Sequence, residues 1–122
     1  MSKPRVMLVD DSPMILFELR TILKKLDIEI VGEANDGDTA LEKFKELLPD
    51  IVTLDIVMPG ELSGVDLLKK ILTIKPNTKV LMVTALGSDI TVLECMKAGA
   101  VGFIEKPFVR ETILENFRKI IG

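Results

Sequence analysis

The chain has 122 residues, which fits one ordinary domain spanning residues 1–122, and 48% of them are apolar, enough for a core without metal or disulfide staples. A formal charge of −3 argues against the basic surface that non-specific nucleic-acid binding requires, and the absence of histidine excludes serine–histidine triads and histidine zinc sites. The single cysteine, Cys95, rules out an internal disulfide, no apolar run is long enough to cross a bilayer, and the start Met1-Ser2-Lys3-Pro4-Arg5 lacks a signal-peptide pattern. A cytoplasmic location, with no membrane contact, is expected.

In chain order, Val6–Val9 reads as a first strand. A helix follows, with Ser12 as N-cap and Pro13 at its first position. At about 100° per residue its core stripe centres on Ile15, Leu19 and Ile22, with Leu23 and Leu26 alongside. Met14 and Phe17 fall on the opposite side with Thr21 and Lys24. Ile28–Val31 is the second strand, and Ala40, Leu41, Phe44, Leu47 and Leu48 mark the second helix. Ile51–Leu54 is the third strand, followed by a helix carrying Leu67, Leu68, Ile71 and Leu72. Val80–Val83 is the fourth strand. The helix after it, Asp89 to Ala98, is apolar nearly all round, so it is either deeply buried or offers a spare surface to a partner; the exposed reading is preferred. Val101–Ile104 is the fifth strand, and Ile113, Phe117, Ile120 and Ile121 define the last helix.

Continuous apolar strands alternating with helices indicate an α/β fold with a parallel sheet covered on both faces. Right-handed crossovers then bring every strand's C-terminal end to one edge, where ligand chemistry gathers. Asp10 and Asp11 end the first strand and Asp55 the third. If those strands are neighbours, three carboxylates converge, and each pair at 4 Å repels by about 4 kcal/mol at a surface-like dielectric. A cation must join them, and an all-oxygen donor set suits Mg2+. Taken alone, the Asp10–Asp11 pair is a weak signal, because acidic residues before a helix are commonly caps or dipole partners. Thr84 ends the fourth strand and Lys106 the fifth, which would add a hydroxyl and a cation to the same edge. Pro107, next in sequence, allows a cis peptide there.

Four blocks now stand in order: Val9-Asp10-Asp11-Ser12, Leu54-Asp55-Ile56-Val57-Met58-Pro59, Val83-Thr84-Ala85 and Glu105-Lys106-Pro107-Phe108. Together they resemble the bacterial response-regulator receiver family, over essentially the whole chain. The resemblance implies a flavodoxin-like doubly wound sheet of five parallel strands in the order 2-1-3-4-5 with five helices. It implies that Asp55 accepts a phosphoryl group from a phosphohistidine on a sensor histidine kinase or histidine phosphotransfer protein. Mg2+ would be held by Asp11 directly, Asp10 through water, Asp55, and the backbone carbonyl of Val57. Lys106 and Thr84 would hold phosphoryl oxygens. Phe103 occupies the position of the family's aromatic switch residue, and plain core packing is a compatible reading of it.

Met14, Ile15 and Phe17, with Pro107 and Phe108, form the expected docking surface for the phosphodonor. A downstream protein target would meet the face made by the fourth helix, fifth strand and fifth helix. Two departures from the family pattern stand out. The stretch Gly60-Glu61-Leu62-Ser63-Gly64 is one residue longer than the common loop, and Val57 and Leu86 are apolar where polar groups often flank the path of a hydrolytic water. A long-lived phosphoryl state is expected from the second. A dedicated phosphatase of similar architecture is the rival reading, but Asp55-Ile56-Val57 lacks the D-x-D motif it would carry.

Overall fold

The computed structural model describes residues 3–85 and 89–121. The elements are β1 (Arg5–Val9), α1 (Pro13–Leu23), β2 (Glu29–Ala34), α2 (Gly37–Leu47), β3 (Ile51–Asp55), α3 (Gly64–Ile74), β4 (Lys79–Ala85), α4 (Asp89–Ala98), β5 (Gly102–Lys106) and α5 (Arg110–Ile121). The five strands form one parallel sheet in the order β2-β1-β3-β4-β5, as the resemblance implied. Because β1 and β3 are neighbours, the strand ends carrying Asp10 and Asp55 lie side by side.

Each face of the sheet buries its own core. Leu16, Leu19, Ile22 and Leu23 of α1 and Ile113, Leu114 and Phe117 of α5 cover Val6, Leu8, Ile51, Leu81 and Ile104. On the other face α2, α3 and α4 contribute Ala40, Phe44, Leu67, Leu68, Ile71 and Cys95 against Met7, Val9, Val52, Leu54, Val80 and Met82. Three helix starts are capped by side chains: Ser12 accepts from Ile15 N–H at 3.4 Å, Asp36 from Thr39 N–H at 2.8 Å, and Ser63 from Asp66 N–H at 3.1 Å. At the opposite edge, α2 ends on Leu48 at φ 45°, and Arg5 donates to the freed carbonyls of Leu47 and Leu48 at 2.7 and 3.3 Å.

The structure shifts three expectations. Strand β2 runs to Ala34 rather than Val31, and β5 occupies 102–106 rather than 101–104. Both are edge strands, whose extent is set by the partner they ladder with, as Thr84 to Glu105 and Ala85 to Lys106 show. In α1, Leu16 is buried while Ile15 is only half-buried, so the helix is rotated from the expected stripe. In α4 only Cys95 is buried, and Ile90 and Leu93 are 87% and 56% exposed, which decides for the exposed reading over burial.

Thr53 is the one oddity of the central strand. It is fully buried between Leu8 and Leu81 in register, and its hydroxyl has no hydrogen-bond partner. An unsatisfied buried hydroxyl costs about 1–3 kcal/mol. Thr53→Val removes that cost at nearly constant shape, so thermal unfolding followed by circular dichroism should show a gain of about 1 kcal/mol, or a few degrees in Tm. A lower Tm would mean that the hydroxyl is bonded in solution.

Candidate functional site

Asp10 leaves β1 with its N–H donating to Ala34 O at 3.1 Å, which turns its side chain inward at the strand-end edge. It is fully buried, and its Oδ1 accepts from Ser12 N–H at 2.9 Å. Asp11 is exposed beside it, and Asp55, the last residue of β3, is 5% exposed. Each of the three offers a carboxylate oxygen, and these oxygens lie within 4.8 Å of one another. Lys106, the last residue of β5, reaches across: its Nζ is 3.1 Å from Asp10 Oδ2 and 3.5 Å from Asp55 Oδ2. Asp10 Oδ2 is buried, and the Lys106 ammonium is the charge that faces it.

Burial and the Asp10 charge push the Asp55 carboxyl up to about 6, against the opposing pull of Lys106 and the Val57 N–H, which donates to Asp55 Oδ1 at 3.3 Å. For Lys106, burial disfavours the ammonium, but Asp10 and Asp55 outweigh it and hold the group above the ordinary lysine value. One lysine facing three carboxylates leaves an excess of negative charge. The donor set is oxygen only and gathers this excess charge within 4.8 Å, so the residues present fit a hard divalent cation such as Mg2+.

Thr84, buried at the end of β4, donates its hydroxyl to Ala85 O at 3.0 Å. The side chain of Val57 is 75% exposed. Leu86, paired with it in the expectation about water access, lies outside the described residues. The Lys106–Pro107 peptide is cis. The loop of residues 60–63 turns at Gly60, φ 97°, and lays Leu62 against the core beside α2. Phe103 is 41% exposed on β5 and lines a cavity of about 460 Å3 with Met96, Val109 and Thr112, so in this structure its ring is not a core residue.

Of the expected docking residues, Met14 and Phe17 are 81% and 62% exposed and Pro107 is exposed, whereas Ile15 and Phe108 are half-buried against the α1–α5 core. Met14 and Phe17 line a largely apolar cavity of about 500 Å3 with Thr21, Ile22 and Arg110. Arg110, which opens α5, was missed by reading the sequence. Nothing in its local pattern marks it, because only the packing of α5 beside α1 brings it there.

The profile of the response regulator receiver domain matches residues 6–118. The chain is 45% identical to the chemotaxis protein CheY of Thermotoga maritima, covering 95% of this chain and 96% of that one. It is 39% identical to the chemotaxis protein CheY of Bacillus subtilis over 97% and 98% of the two. Among solved structures it resembles one chain of the CheX-CheY-BeF3-Mg2+ complex from Borrelia burgdorferi, with a TM-score of 0.92, 34% identity and coverage of 99% and 91%. A shared fold with acidic and lysine residues converging at its strand ends, a profile match over nearly the whole chain and relatives of the same length agree: this chain belongs to the response regulator receiver domains, the phosphoryl-accepting modules of two-component signalling.

Proposed function

We propose that Asp55 is the phosphoryl acceptor and that Asp10, Asp11, Asp55 and the carbonyl of Val57 hold Mg2+ beside it. The observation that carries this reading is a buried Asp55 facing Lys106 at 3.5 Å, with carboxylate oxygens of Asp10 and Asp11 within 4.8 Å of its own. When bound, the cation neutralises charge on the phosphoryl oxygens and the carboxylates. An Asp55 oxygen attacks phosphorus in line, a P–O bond forms as the donor's P–N bond breaks, and the electron pair returns to the imidazole nitrogen. With its carboxyl near 6, Asp55 is mostly ionised, and therefore nucleophilic, at neutral pH. Lys106 pairs with one phosphoryl oxygen, and the Thr84 hydroxyl leaves Ala85 O to donate to another.

The phosphodonor is a histidine kinase or phosphotransfer protein docking on Met14, Phe17 and Pro107, with Ile15 and Phe108 supporting that surface from beneath. The output face is α4–β5–α5, where Ile90, Leu93, Met96, Phe103 and Val109 are all exposed and available to a protein target. Movement of Thr84 toward the phosphoryl group opens room for the Phe103 ring to turn inward and alter that face. Phe103 lacks a phenolic hydroxyl, so it reports through packing alone.

The test is intact-mass measurement after incubation with acetyl phosphate and Mg2+. The parent should gain one phosphoryl group. Asp55→Asn, nearly isosteric and free of one repelling charge, should remain folded and unlabelled. Full single-site labelling of the variant would place the acceptor elsewhere.

A further inference from the structure

We infer that Arg20, clamped by Glu33, is a positioning residue that presents the Phe17 ring to the protein phosphodonor, an inference that rests on the docking reading of α1 given above. A phenylalanine 62% exposed has little around it to select one side-chain rotamer. Here, however, the guanidinium of Arg20, one helical turn on, lies over the ring with its central carbon 5.7 Å from the ring centroid. That is within the range of about 6 Å at which a cation is attracted to a ring face.

Arg20 is itself fixed. It forms an ion pair and hydrogen bond with Glu33, and both side chains are partly shielded from solvent. Glu33 in turn belongs to β2, in register with Leu8 of β1, and its carbonyl accepts from Lys43 Nζ of α2 at 2.6 Å. The ring is therefore tied to the sheet through two side chains, although neither Arg20 nor Glu33 lines the cavity that Met14 and Phe17 border. An anchor ordered before the encounter saves the entropy of ordering it during docking. The clamp should thus act on the apparent affinity for the donor, not on the transfer step, which happens at the strand ends and involves neither residue. An ordinary salt bridge that only holds α1 to β2 would have no effect on the ring.

The experiment uses the full chain, with Arg20→Ala and Glu33→Ala as variants. Glu33→Ala is the more telling of the two, because it leaves Arg20 and Phe17 in place. Three-bond couplings in isotopically labelled protein report the χ1 rotamer of Phe17. Transfer is measured from the phosphohistidine-bearing phosphotransfer domain that donates fastest in a screen, and labelling by acetyl phosphate serves as control. The parent should show one Phe17 rotamer and both variants an averaged one. The donor concentration for half-maximal transfer should rise about 3–5-fold in each, as expected for losing one exposed cation–ring contact. The limiting rate and acetyl phosphate labelling should not change. An unchanged rotamer in both variants, or an averaged one in the parent, overturns the clamp. Averaging with unchanged transfer overturns the docking reading instead, and so the role given to the clamp.

Discussion

Gly64→Ala should destabilise the protein by about 3 kcal/mol or more, the high end for adding one methyl group. Gly64 opens α3, and its N–H donates to Ile56 O at 3.1 Å, which draws the helix start against the chain just past Asp55. A Cβ there would lie 2.2 Å from Asp55 O, 2.7 Å from Ile56 Cα and 2.8 Å from Ile56 O. These are backbone atoms, which cannot swing aside as a side chain would. Either α3 moves off the sheet, opening the core around Leu67 and Leu68, or the segment carrying Asp55 and Val57 shifts. The second course displaces the Asp55 carboxylate and the Val57 N–H that bonds it, so on the proposed role of Asp55 phosphorylation should fall along with stability. Urea unfolding and mass labelling by acetyl phosphate measure the two effects. A midpoint matching the parent, with normal labelling, would show that the close approach is not maintained in solution.

The second large effect concerns the metal. Asp11→Ala should weaken Mg2+ binding about 100-fold, in keeping with removal of one charged oxygen from a small all-oxygen set. The same change should leave the metal-free protein no less stable, because Asp11 raises the Asp55 carboxyl by repulsion and is itself exposed. The chain has no Trp or Tyr, so NMR or calorimetry is the suitable readout. Unchanged affinity would remove Asp11 from the ligand set.

pH supplies an internal check on the same site. A folded-state carboxyl near 6, against 3.8 unfolded, means that the native protein holds a proton the unfolded chain has lost across that window. Metal-free stability should therefore decline as pH rises from about 4 to about 6, by up to about 3 kcal/mol for this group. Mg2+ competes with that proton, so its affinity should drop as pH falls below about 6. Titrating the parent at several pH values shows whether both trends level off above the same pH, about 6.

Much of this arrangement was legible in the residues themselves. A run of buried, β-branched residues ends where a polar one begins, and in a parallel sheet every such end falls on one edge. That is why Asp10, Asp55, Thr84 and Lys106 could be grouped without coordinates, and why the four blocks around them carry a family resemblance. Capping was legible for the same local reason: Ser12 and Pro13 act within one helical turn.

Features that depend on a neighbour were not. The edge strands β2 and β5 stop where their partners stop, and their own side chains do not say where that is. The rotation of α1 that buries Leu16 and half-exposes Ile15 is decided by contact with β1 and α5. The exposure of Phe103 was not legible either, since no periodicity of β5 reports it, whereas the exposed Ile90 and Leu93 match the spare surface expected of a helix apolar nearly all round. By itself, the order of residue types along the chain determined the strand and helix alternation and the chemistry at the strand ends, since both follow from local burial and charge. Tertiary structure alone decided that carboxylate oxygens of Asp10, Asp11 and Asp55 come within 4.8 Å, that Lys106 reaches Asp10 and Asp55, and that Arg110 of α5 flanks the α1 face. Those are distances between elements far apart in sequence, set by packing both faces of the sheet at once.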